Sequence, residues 1–131
     1  MKKEVKKLDL AGLNQGDRGW AMNPMAAAGA GNLSRGAMHL VSIRPGAVRG
    51  NHLHRNATEW ILVFGGTGRL SWKCPEGSGI REFTIQGRGP ELYQVPPGVD
   101  HAIANTSSDE IYALVFYDRD SPETDSATEL M

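Results

Sequence analysis

Thiols are nearly missing from the sequence. Cys74, in KCPEGSG, is the one cysteine, so no internal disulfide can form and a thiolate-only metal site is excluded. That usage fits an intracellular, cytoplasmic protein. An excess of either charge is missing too: lysine and arginine number 14 against 15 acidic residues, for a formal net charge of -1. Without a basic field nothing argues for nucleic acid or an anionic membrane, and a small-molecule ligand is the expectation. Long apolar runs are absent. The longest strongly apolar stretch, WILVF at Trp60 to Phe64, falls far short of the roughly 20 residues of a membrane-spanning helix. The basic start MKKEVKK is followed by LDLAGLNQGDRGW, which lacks the continuous apolar segment of a secretory signal. No internal repeat is present, and 131 residues suffice for one domain with its own core.

What the sequence does have is short β-type runs. Residues 1–36 are rich in Gly, Ala, Asn and Met and read as a loop-rich lead-in packed on the core, with at most one short strand. From Ala37 the texture changes to MHLVSIR, NHLH, TEWILVFG, GRLSWK, REFTIQ, ELYQV, HAIANT and EIYALVFY, separated by Gly and Pro. Such short strands with no helical segment between them predict an all-β sandwich or barrel over residues 37–118. GGTG at Gly65 to Gly68 and SSDE at Ser107 to Glu110 read as hairpin turns. Residues 119–131 are polar and acidic without periodicity, and a flexible tail is expected.

Three of these runs carry candidate metal ligands. Side chains of a strand alternate faces, so His52 and His54 project to one side, about 6.6 to 6.8 Å apart along the strand. Glu59 opens the next run, among apolar residues where a carboxylate is costly to bury alone. Taken singly, these residues also fit surface strand histidines and a strand-edge acid. A second segment, PPGVDHAIAN, brings His101 into a strand directly after a turn. Three nitrogens and one oxygen suit a mid-series divalent ion such as Fe, Mn, Zn, Ni or Co, and the ligand types alone do not choose among them.

The spacing Gly46-x5-His52-x-His54-x4-Glu59-x6-Gly66, followed by Gly89-x6-Pro96-x-Gly98-x2-His101-x3-Asn105, resembles the paired signature motifs of the cupin superfamily. The resemblance implies a single-domain, antiparallel jelly-roll β-barrel whose interior holds one metal on His52, His54, Glu59 and His101. Gly66 and Gly98 are expected at turns needing positive φ, and Asn105 as a turn hydrogen bonder rather than a ligand.

Cupins include isomerases, epimerases, dioxygenases, decarboxylases and non-enzymatic binders, so fold and metal leave the reaction open. VRGNHLH with TEW, and VPPGVDHAIANTSSDE after them, resemble most the cupins of nucleotide-sugar and capsular polysaccharide biosynthesis. DRGW at Asp17 to Trp20 is similar to the Asp-Arg-Gly start of keto-sugar isomerases. This resemblance implies metal-assisted epimerisation or isomerisation beside a sugar ketone, with zinc as the metal. An iron-dependent dioxygenase of a small substrate and a non-catalytic metabolite binder are the alternatives.

Proton transfer needs a base near the metal but not bound to it, and His39, Tyr93 and Tyr112 are the candidates on expected strands. His39 shares a face with Val41 and Ile43, a setting equally suited to a hydrogen-bonded core histidine. Arg44 and Arg49 match phosphate or carboxylate bidentately, or stand solvated. Trp60, Trp72, Phe83 and Phe116 are expected in the core or at a dimer contact. EWILVF is apolar on both faces, so a second subunit covering the outer one, in a homodimer, is expected.

Overall fold

The runs from MHLVSIR to EIYALVFY become eight strands because their apolar residues alternate about a shared interior. The structure, a computed structural model, describes residues 3–29, 37–75, 79–119 and 122–126. In chain order the elements begin with β1 (Lys6–Leu8), β2 (Asn14–Gly16), β3 (Gly19–Ala21) and α1 (Pro24–Ala28). The eight core strands are β4 (Met38–Ile43), β5 (Val48–His54), β6 (Glu59–Phe64), β7 (Gly68–Lys73), β8 (Arg81–Ile85), β9 (Glu91–Val95), β10 (Asp100–Asn105) and β11 (Ile111–Tyr117), and β12 (Thr124–Ser126) follows.

Two five-stranded sheets result, ordered β1-β9-β6-β11-β4 and β12-β5-β10-β7-β8, with a separate β2-β3 hairpin. Without the outer strands β1 and β12, the orders are those of a jelly roll. The inner faces share one core, in which Ile43, Ile61, Val63 and Val115 of the first sheet belong with Leu70, Trp72, Ile85 and Ile103 of the second.

The two turns expected to close hairpins do not. β6 and β7 lie in different sheets, as do β10 and β11, so Gly65–Thr67 and Thr106–Glu110 carry the chain across the sandwich. Turn residues specify a change of direction, and pairing is decided by which sheet buries the next strand. The positive φ falls on Gly65, at 108°, rather than on Gly66. Gly66 is required for closeness: a Cβ there would meet Ser107 Oγ at 2.5 Å, so the two crossing turns pack against each other.

The lead-in folds over the outer face of the first sheet. Trp60, Leu62, Leu92 and Phe116 form a second buried cluster on that face, packed against Leu8, Leu10, Met22, Met25, Ala27 and Ala28. Helix α1 is held by Asn23, whose Oδ1 accepts from the amides of Met25 and Ala26 at 3.1 and 3.2 Å, and it stops at left-handed Gly29. Much of the covering expected from a second subunit thus comes from the chain itself. Met38, Leu40 and Tyr112, at the β4 edge of the same face, remain exposed.

Part of the expected tail is also structured. β12 pairs antiparallel with β5, Thr124 opposite His54 and Ser126 opposite His52. The acidity that suggested a flexible segment is matched by Arg55, whose guanidinium lies 3.2 Å from Asp125 and 3.9 Å from Glu123.

Candidate metal centre

Three histidines reach one point because β5 and β10 are neighbours, with His52 directly opposite His101. The register slips by one residue at this point: His101 pairs with His52, but Ala102 pairs with Gly50, leaving Asn51 as the extra residue of a β-bulge. Asn51 has φ 57° and Gly50 φ 109°. A Cβ on Gly50 would meet His101 O at 2.8 Å, so glycine permits the close approach of the two strands. Glu59, the first residue of β6, comes from the facing sheet.

The potential donor atoms of His52, His54, Glu59 and His101 all lie within 4.8 Å of one another. Glu59 Oε1 is 2.6 Å from His101 Nε2 and 3.3 Å from His54 Nε2. Neither contact has hydrogen-bond geometry. Of the five buried side-chain atoms without a hydrogen-bond partner among the described residues, three are His54 Nε2, Glu59 Oε1 and His101 Nε2. Buried polar atoms are ordinarily satisfied, so three orphans converging with a fourth donor beside them fit a cation that completes their bonding.

The far ring nitrogens are braced. His101 Nδ1 lies 3.0 Å from the carbonyl of Val99 and His54 Nδ1 2.9 Å from Thr124 Oγ1, the outer-shell pattern that fixes ligand orientation. Tyr117 donates its O–H to Glu59 Oε2 at 3.3 Å. Burial alone raises a carboxyl, but the neighbouring His101 and His54 outweigh it and hold Glu59 well below the usual range. Burial opposes a charged His101, yet the Glu59 carboxylate raises its imidazole above the ordinary value. Burial and then the charge of His101 push His52 down to about 4, which keeps it neutral and available as a ligand near neutral pH.

The cluster borders a cavity of about 320 Å³, also lined by His39, Arg49, Ile61, Ile103, Val115 and Tyr117. His39 is exposed and stacks on Tyr117 with ring centroids 5.9 Å apart. Arg49 faces inward because the Asn51 bulge offsets the alternation: it pairs with the cavity residue Ile103, whereas an unbroken strand would put it opposite His52's face. Tyr93 and Tyr112, the other two candidate bases, do not line this cavity. Tyr93 is buried in the core and donates its O–H to Glu91 Oε1 at 2.7 Å; burial, then Glu91, keep its phenol above the ordinary value. Tyr112 stacks on Phe64 on the outer face. Trp60, Trp72, Phe83 and Phe116 do not line the cavity either. Tyr117 was missed by the sequence reading, although it shares the inward parity of Ile111, Ala113 and Val115 while Tyr112 has the opposite one.

A jelly roll with a His3Glu cluster between its sheets defines the chain as a cupin. It belongs to the polysaccharide biosynthesis C-terminal domain family, which matches residues 17–126. A reductase of Pseudomonas aeruginosa, UDP-2-acetamido-2,6-beta-L-arabino-hexul-4-ose reductase, is 28% identical over 68% of this chain and 25% of its own length. The chain therefore spans about a quarter of that curated relative. Among solved structures, the capsular polysaccharide assembling protein CapF of Staphylococcus aureus aligns with TM-score 0.65 and 24% identity, over 72% of this chain and 27% of CapF. A dTDP sugar isomerase of Desulfovibrio desulfuricans aligns with TM-score 0.79 and 15% identity, over 96% of this chain and 85% of the isomerase; at these identities the two structures establish the fold alone. No helix among the described residues is long and apolar enough to cross a membrane.

Proposed function

We propose that this cupin is a metal-dependent isomerase or epimerase of a keto-sugar carried on a nucleotide. The observation that carries the reading is the sharing of one cavity by His52, Glu59 and His101 of the ligand cluster, His39 and Arg49. A divalent ion on His52, His54, Glu59 and His101, with Zn, Fe, Mn and Ni as the candidates, would supply Lewis-acid polarisation of the sugar carbonyl. His39 takes the proton from the adjacent carbon at a ring nitrogen and returns it. Tyr117 does not compete for this role: burial and the Glu59 charge raise its phenol above the ordinary value, so it stays protonated and holds Glu59 in place. Arg49 pairs with an anionic or carbonyl oxygen of the ligand. The cavity sits at the small end of ligand sites, so it receives the sugar ring and leaves the nucleotide outside.

The direct test is proton exchange. Metal-loaded protein incubated in D2O with a nucleotide-linked keto-hexose should introduce deuterium beside the ketone, read by NMR. Absence of exchange, with oxygen uptake on small thiols or catechols instead, would replace this reading by that of an oxygen-using enzyme.

Metal binding has an expected pH dependence. His101 holds its proton above the ordinary imidazole value, and a ligand must release its proton to bind. Below that raised value, apparent metal affinity should fall at least about tenfold per pH unit, with His52 adding a further proton only near pH 4. A titration series from pH 5 to 8 showing constant affinity would reject the assignment of His101 as ligand.

A homodimer is proposed through the strip that the N-terminal segment leaves bare, centred on Leu40, 76% exposed on the edge strand β4. Leu40→Glu should shift the sedimenting species from dimer to monomer; a wild-type protein that sediments as a monomer overturns the proposal.

A further inference from the structure

We propose that Thr124, on the C-terminal strand β12, is a positioning residue for the metal ligand His54, so that docking of β12 and binding of the metal strengthen each other. The inference rests on the reading of the histidine cluster as a metal site.

Four observations lead to it. Thr124 lies opposite His54 in the β12–β5 register, and its Oγ1 is 2.9 Å from His54 Nδ1 across a sequence separation of 70. His54 is 5% exposed, and its Nε2 faces the cluster without a hydrogen bond. The tautomer that leaves Nε2 bare for a metal places the proton on Nδ1, where it donates to Thr124 Oγ1. That bond selects both the tautomer and the ring orientation the ligand needs.

His101 is braced differently. Its Nδ1 partner is the carbonyl of Val99, two residues away on the same turn and strand, so its orientation is built in once β10 forms. His54 instead depends on a three-residue strand that must find β5. The attachments of that strand are modest: the amide of Arg55 donates to the Glu123 carbonyl at 2.8 Å, and the amide of Glu123 donates to Asn56 Oδ1 at 2.8 Å. The ion pairs of Arg55 with Glu123 and Asp125 are solvent-exposed and contribute little. A weakly docked strand that contacts a ligand is a coupling element. Whatever factor docking adds to metal affinity, metal adds to docking.

Thr124→Val keeps the β-branched shape and removes the hydroxyl, while Thr124→Ser keeps the hydroxyl. Zn2+ and Co2+ are titrated into chelator-stripped wild type and both variants, and amide exchange over residues 123–126 is followed with and without metal. The expected result is a Kd raised about 10–100-fold in Thr124→Val and restored to near the wild-type value in Thr124→Ser. Metal should slow exchange of residues 123–126 in the wild type and do so much less in Thr124→Val. Equal Kd in wild type and Thr124→Val overturns the positioning role while leaving the metal site standing. Equal weakening in both variants also overturns it, because the loss then belongs to the strand and not to the hydroxyl. A wild-type protein that binds neither ion removes the metal reading itself, and the inference with it.

Discussion

Alanine in place of His101 should reduce bound metal from about one ion per chain to background, by elemental analysis of protein purified without tag or chelator. His101 supplies a buried Nε2 2.6 Å from Glu59 Oε1, and no other imidazole on its strand can replace it. The same substitution also acts without metal. Glu59 is 4% exposed, and removing its nearest positive partner leaves a buried carboxylate with His54 at 3.3 Å. Breaking a buried pair from one side costs about 3–5 kcal/mol, so His101→Ala should melt earlier even when both proteins are metal-free.

His52→Ala separates the two effects. His52 is less buried than His54, Glu59 or His101, and the close contacts of Glu59 are with His101 and His54, while burial and the charge of His101 favour a neutral His52. Its replacement should therefore lose metal with little change in the metal-free protein. The stabilisation by added metal, about 4 kcal/mol at a thousandfold excess over Kd, should appear in the wild type and vanish in both variants. Full metal retention in both would reject the ligand assignment.

Replacing His39 by glutamine should slow deuterium incorporation about 10²- to 10⁴-fold, the range a positioned general base contributes, with metal content unchanged. His39 lines the cavity but lies outside the ligand cluster, which is why the two readouts part. It is also exposed, and exposed substitutions typically move stability by no more than about 0.5 kcal/mol. A drop in exchange together with an unaltered melting curve assigns the effect to chemistry. Undiminished exchange by a metal-loaded His39→Gln protein would remove His39 as the base.

The residues differ in how far sequence alone places them. His52, His54, Glu59 and His101 could be grouped because strand parity and motif spacing are local properties, and the folded chain brings them within bonding reach of one another. Arg49 was open, because an even alternation turns it away from His52 and only the bulge at Asn51 turns it inward. Gly50 reads as punctuation before the NHLH run but lies inside β5. Helix α1 did have signals, Asn23 as cap, Pro24 in the first turn and Gly29 at the end. They were overlooked because five residues are too few to show a helical period. β12 carries no signal of its own. Its acidic, aperiodic text becomes a strand through Arg55 and the free edge of β5, which are properties of the partner and not of the segment.

The cluster draws three of its members from one sheet and Glu59 from the other. An ion bound there would be a tie-rod across the sandwich, fastening layers whose facing sides meet mainly through apolar side chains. Its removal would loosen the fold unevenly: the mouth where His39 and Arg49 stand would gape, while the fully buried core around Leu70 and Ile85 would stay shut.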